Sequence, residues 1–222
     1  KSQENTVDTP VKMKEIVIDL RPREEREISP EPPVERHNFR ITDDDLGTGG
    51  PKAKFRANMD AIYLLKTLEN ENRLATPEEQ EVLSRFVGWG GIPQAFDPDV
   101  REWSGEYAEV KAALTPEEYE AARASTLNAF YTSPTVIRAM YDALDAMGFK
   151  KGNILEPSCG VGNFMGMLPE GMSASRMYGV ELDSITGRIA QQLYQKNTIA
   201  VQGFEETGFS DNFFDVVIGN VP

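Results

Sequence analysis

The run Asn153-Ile154-Leu155-Glu156-Pro157-Ser158-Cys159-Gly160-Val161-Gly162-Asn163-Phe164 constrains this chain more than any other stretch. A short apolar segment follows the breaker Lys150-Lys151-Gly152 and ends in an acid and a proline. Its length and flanks predict a buried parallel strand. Gly160 and Gly162 lack a Cβ, so the turn can take positive φ and let a ligand lie against bare backbone. Phe164 through Leu168 are expected to open a helix whose free N–H groups point back at that ligand. A plain strand-to-helix turn is one competing reading. A dinucleotide site is another, because Gly166 completes a longer glycine pattern. The acid at Glu156 argues against the second, since it repels a pyrophosphate and suits a cationic ligand.

With that acid and its spacing to Gly160 and Gly162, the run resembles the first motif of the class I S-adenosylmethionine-dependent methyltransferases. The resemblance implies a Rossmann-like α/β sheet, here partial with about four parallel strands, and S-adenosylmethionine as cofactor. It places Glu156, Pro157, Gly160, Gly162, Asn163 and Phe164 at the cofactor. The following segments agree in order. Arg176 to Glu181 reads as the second strand, and Glu181 ends it about 20 residues past the glycine turn, where an acid can accept both ribose hydroxyls. Leu182 lies beside it, and Asp183 is read as the cap of a helix from Ile185 to Tyr194. The third strand is expected over about Thr198 to Gln202, followed by Gly203-Phe204-Glu205. The family usually has aspartate where Phe204 stands, so Glu205 or stacking on Phe204 is expected to hold the adenine.

Phe213 to Gly219 reads as a fourth strand, apolar on both faces, ending at Asn220-Val221-Pro222. This resembles the fourth motif of the amino-methyltransferases, with Val221 in place of a first proline. The implied catalytic set is Asn220, Val221 and Pro222. Upstream, Phe130-Tyr131-Thr132-Ser133-Pro134 resembles the tenth motif of adenine-N6 DNA methyltransferases, where the segment holds the methionine end of the cofactor. Ser133 is read as the cap of the next helix and Pro134 as its first residue. The inserted Ser133 departs from the usual Tyr-Thr-Pro form. The resemblance therefore implies methyl transfer to the N6 amino group of adenine in DNA, without a metal or a covalent nucleophile. Cytosine-C5 chemistry is disfavoured, because Cys159 belongs to the first motif.

The region ahead of these motifs reads as helical from Lys54 to about Ser125. Phe55, Met59, Ile62, Leu65 and Leu68 recur on one face. Thr76-Pro77-Glu78-Glu79 and Thr115-Pro116-Glu117-Glu118 each combine a hydroxyl cap, proline and acids in a first turn. Val82, Leu83 and Phe86 are assigned to the buried face of the first such helix, and Tyr119, Ala122 and Leu127 follow the second. Gly88-Trp89-Gly90-Gly91 demands unusual backbone. Trp89 either fills a gap in the core or walls a ligand pocket. Asn38 to Ile41 is a candidate short strand. The acids at 43–45 lack the spacing of a calcium loop.

Three segments result: an extended linker over 1–37, a helical region over 38–128 and the first half of a methyltransferase domain over 129–222. The helical region with Gly-Trp-Gly-Gly resembles the methylase part of large proteins of bacterial mobile elements and phages, which often continue into a helicase-type ATPase. That implies a target-recognition and helicase-type region elsewhere in the same polypeptide. This stretch supplies only part of the family's sheet and leaves its fourth strand as an open apolar edge. The piece is therefore expected to be cut from a longer enzyme, to bind cofactor weakly and not itself to methylate DNA. The formal net charge of −13 is spread along the chain, so no basic block stands ready for DNA, whose main clamp is expected outside these residues. The single cysteine suits a reducing, cytoplasmic setting, and no apolar run approaches membrane-spanning length. Two further functions fit the same motifs: a degenerate fold used for DNA or protein contact, and methylation of a planar protein amide such as glutamine. A nicotinamide dehydrogenase is the third alternative.

Overall fold

The apolar stripe from Phe55 to Leu68 forms one face of α1 (Pro51–Asn70), and all five predicted residues are buried. Each large side chain taken fully out of water contributes about 1.5–3 kcal/mol. The two Thr-Pro-Glu-Glu signals start α2 (Pro77–Leu83) and α4 (Pro116–Ser125), and each closes a reciprocal capping box between the threonine and a glutamate. Between them lies α3 (Ser104–Ala113). The computed structural model describes residues 35–43, 47–127 and 132–220. Of these, Arg36 and the described residues after it pack as one compact unit.

Four strands follow: β1 (Asn153–Glu156), β2 (Arg176–Glu181), β3 (Thr198–Val201) and β4 (Val216–Val217). All pair in parallel, in the order β3-β2-β1-β4. The chain thus steps outward from β1 to β3, then returns to the other side of β1. Ligands of open α/β sheets bind at such a reversal, at the carboxyl ends of the strands. Helix α5 (Pro134–Ala146) precedes the sheet, the single turn α6 (Asn163–Gly166) follows β1, and α7 (Ser184–Leu193) follows β2. The result is the expected α/β architecture: a sheet of four parallel strands preceded by a helical layer. That layer docks through α1 and α2 on α7, which covers β2 and β3 on its other side.

Several local expectations are corrected. Val82 is 37% exposed and Leu127 76%, so neither joins the core; α2 ends at Leu83, and Phe86 is buried from the turn beyond. Ser133 occupies the cap position of α5, but its side chain makes no cap bond. The helix after the glycine turn spans only Asn163–Gly166 and does not reach Leu168. The fourth strand is reduced to Val216–Val217, with flanking bonds from the Asp215 N–H to the Asn153 carbonyl and from the Ile218 N–H to the Leu155 carbonyl, both 2.9 Å. It is not apolar on both faces in the buried sense, since Val217 is 62% exposed. Asn38 to Ile41 forms a single antiparallel bridge, Asn38 to Tyr194, rather than a strand. At the end of the expected linker, His37 is bound: its N–H donates to Gln195 Oε1 at 2.9 Å.

Candidate functional site

The strand ends converge on a cavity of about 720 Å³. This lies within the usual range of roughly 300–1,000 Å³ for small-molecule sites. Of the residues singled out from sequence, Thr132, Glu156, Pro157, Gly160, Asn163, Phe164, Glu181, Leu182, Phe204, Glu205 and Asn220 all border it. Phe130, Tyr131, Val221 and Pro222 lie outside the described residues, as do Ile16 to Ile18 and Asp44 and Asp45. Gly162 does not border the cavity; it stands behind it as the residue preceding α6, with φ 85° and ψ 37°.

The glycine turn is built by its neighbours. The Cys159 N–H donates to the Val180 carbonyl at 2.9 Å, which ties the loop after β1 to β2. The Gly160 N–H donates to Glu181 Oε2 at 2.8 Å, and the Asp183 N–H donates to the other carboxylate oxygen at 2.8 Å. A Cβ on Gly162 would sit 2.5 Å from a ring carbon of Tyr194, so glycine is needed there for space as well as for φ. Gly179 in β2 plays a related part: a Cβ there would lie 2.7 Å from Met165 Cε and 2.8 Å from Cys159 Sγ.

The electrostatics are dominated by two carboxyl groups. Glu156 is 3% exposed, and its Oε2 has no hydrogen-bond partner. Burial, and then the nearby Glu181 carboxylate, raise its pKa well above the ordinary carboxylate value. Glu181 is also raised, by burial first, although the N–H groups of Asp183 and Gly160 favour its ionised form. An orphaned buried acid with a second acid beside it can be satisfied by a cationic hydrogen-bond donor. Leu182 and Phe204 stand at the rim, 76% and 49% exposed, and offer apolar surface to a flat ring. Asn220 follows β4 on the other side of β1, and the adjacent Gly219 lies against Glu156, where an added Cβ would be 3.5 Å from Glu156 Cγ. Asp183 accepts the Thr186 N–H at 2.8 Å and caps α7 as expected, while also bordering the cavity. No group of His, Cys, Asp and Glu among the described residues is arranged to hold a metal.

Three features escaped the sequence reading. Tyr194, fully buried at the end of α7, is the support beneath Gly162. Asn58, on the apolar face of α1, donates to the Gly88 carbonyl at 2.6 Å and accepts the Val87 N–H at 2.9 Å, which fixes the loop carrying Trp89. Ala121, Ala124 and Ser125 of α4 border the cavity from the helical layer. None of the three had a local signal, whereas Gly179, also not singled out, did: a glycine inside a strand marks close approach. Trp89 satisfies both readings offered for it: it is 3% exposed, packed 5.1 Å from Phe96 between ring centroids, and it also borders the cavity.

No family model matches the chain. It is 27% identical over 178 residues to the defense against restriction protein B of Escherichia phage P1, covering 79% of this chain and 6% of that protein. It is 36% identical over 93 residues to the type II methyltransferase M.CvrRI of Paramecium bursaria Chlorella virus XZ-6E, covering 42% of this chain and 24% of that protein. The chain therefore spans less than a quarter of either relative. Among solved structures it is similar to a protein of Listeria monocytogenes assigned to the class I S-adenosylmethionine-dependent methyltransferases, with a TM-score of 0.36, 16% identity, and coverage of 77% of this chain and 59% of that one. The match to the viral methyltransferase and the parallel α/β sheet agree with the resemblance carried by the motifs.

Proposed function

We propose that the cavity binds S-adenosylmethionine and belongs to an enzyme that methylates the N6 amino group of adenine in DNA. The observation that carries the reading is the gathering of Glu156, Gly160, Glu181 and Asn220 around one cavity at the same end of neighbouring parallel strands. The residues fit the cofactor on their own chemistry. The unpartnered Glu156 oxygen suits an ammonium group, the Gly160 to Gly162 turn leaves room for close approach, and Glu181 would accept ribose hydroxyls in exchange for its present backbone bonds. Leu182 and Phe204 would flank the adenine, with Glu205 beside it. The Phe130-Tyr131-Thr132 segment is assigned to the methionine end.

S-adenosylmethionine, when bound, supplies an electrophilic methyl group on a sulfonium. The chain's task is to orient the acceptor. The Asn220 side-chain oxygen and the Val221 carbonyl would accept the two amino hydrogens of adenine, and Pro222 would stiffen the backbone that presents them. That favours a pyramidal nitrogen with its lone pair directed at the methyl group, and positioning of this kind lowers the barrier. The target base must leave the duplex to reach the cavity. Contact with DNA and with a helicase-type region is assigned to other parts of the same polypeptide.

Calorimetry tests the cofactor assignment. S-adenosylmethionine is expected to bind, nicotinamide dinucleotide is not, and Glu181→Ala should weaken binding at least tenfold. Absence of binding would overturn the reading. Methyl transfer from labelled cofactor, measured with a chain extended past residue 222 on adenine-containing duplexes and on glutamine-containing proteins, separates the DNA substrate from a protein amide.

A further inference from the structure

We infer that α4 is a wall of the cofactor cavity, so that the helical layer is part of the ligand site and limits what the site admits. The inference rests on the S-adenosylmethionine reading above and extends it to residues outside the sheet domain. Three observations carry it. Ala121 and Ala124 lie one turn apart on α4, are exposed, and border the same cavity as the strand ends, whereas Ala122 between them is 1% exposed and faces the core. The helix is held in place: Glu118, in its first turn, pairs with Arg188 of α7 and with Lys66 of α1, the latter at 3.5 Å. The cavity they share is lined by Glu156, whose buried Oε2 has no partner, and that calls for a ligand independently of α4. Gly88 and Trp89 continue the wall from the loop fixed by Asn58.

Small side chains at 121 and 124 leave the cavity its width. A phenyl group at either position projects into space that the ligand needs, while the helix itself has no core contact there to lose. Ala121→Phe and Ala124→Phe are therefore expected to weaken S-adenosylmethionine binding at least tenfold with unchanged circular dichroism and melting temperature. Ala112→Phe, an equal change on an exposed position of α3 that does not border the cavity, should bind as the unaltered chain does. Hydrogen exchange on the unaltered chain gives a second readout that needs no variant. Adding S-adenosylmethionine should slow exchange in 118–126 and 87–91 as well as in 156–166. Binding undiminished by both phenylalanines, or protection confined to the sheet domain, overturns the wall alone. No binding by the unaltered chain overturns the cofactor reading and the wall with it.

Discussion

Replacing Gly162 by alanine tests the glycine turn most directly. At φ 85° and ψ 37° the residue is left-handed, a conformation that costs an L-residue about 1–2 kcal/mol. The new methyl would also sit 2.5 Å and 2.7 Å from two ring carbons of Tyr194. That ring is 1% exposed and ends α7, so it cannot swing away without opening the core; overpacking of this kind typically costs about 1–3 kcal/mol. Together the two effects amount to about 2–5 kcal/mol. For a chain of this size, a loss of 1 kcal/mol lowers the melting point by about 2–4 °C, so a drop of roughly 4–20 °C is expected. Thermal melting followed by circular dichroism measures it. Gly171→Ala is the control, because an added Cβ there meets nothing within 4 Å. A melting point for Gly162→Ala within 2 °C of the unaltered chain, an uncertainty typical of about 0.5–1 kcal/mol, would refute both the backbone and the packing argument.

Three further outcomes follow from the same geometry. Glu156→Gln should flatten the pH dependence of stability: a carboxyl group whose pKa is raised on folding stabilises the protein fully below the unfolded value and loses that contribution as pH rises through the folded one. In the unaltered chain, urea midpoints should therefore fall relative to the glutamine variant from about pH 4.3 upward, and parallel curves would contradict the orphaned acid. Asn58→Ala leaves the Gly88 carbonyl and Val87 N–H unpaired inside the helical layer, and should cost about 1–3 kcal/mol in denaturant unfolding. Arg188→Ala removes one of the two cationic partners of Glu118, whose side chain is 11% exposed and which keeps Lys66, and the partner of Glu69; a loss of about 1–2 kcal/mol is expected, and no change in the urea midpoint would show the pairs to be idle.

What could be read from sequence was local. The α1 stripe, the two threonine capping boxes and Asp183 as a cap each depend on residues within one or two turns of each other. The strand ends were legible for a different reason: all four strands run parallel, so residues that end or follow them, such as the acids and the asparagine, come to the same edge of the sheet whatever the strand order. The misses are tertiary. Val82 and Phe86 carry the same apolar signal, yet only the turn after Leu83 decides that the second is buried and the first is not. Asn38 to Ile41 has strand-like residues, but its partners are the ends of α7 and α6, with the Phe39 N–H on the Leu193 carbonyl and the Ile41 N–H on the Gly166 carbonyl. Nothing near Ala121 or Ala124 in sequence announces that their open side meets a cavity.

The element that joins these findings is α7 rather than the sheet. Its first turn, through Asp183 and Thr186, borders the cavity; Tyr194 just past its last residue supports the glycine turn; and its outer side carries the helical layer. The docking is polar as well as apolar. The Gln80 amide donates to the Gln192 and Leu193 carbonyls at 2.8 and 3.0 Å, and Gln192 in turn accepts the Ala75 N–H at 2.8 Å. Buried amides that satisfy backbone groups across two layers fix their register, because any slide leaves several donors and acceptors unpaired at once. These bonds all fall on the last turn of α7, next to Tyr194, so a shift of α2 is passed to that ring. Changes at the α2–α7 contact should therefore reach the cavity by moving the Tyr194 ring under Gly162, even though neither Gln80 nor Gln192 borders it.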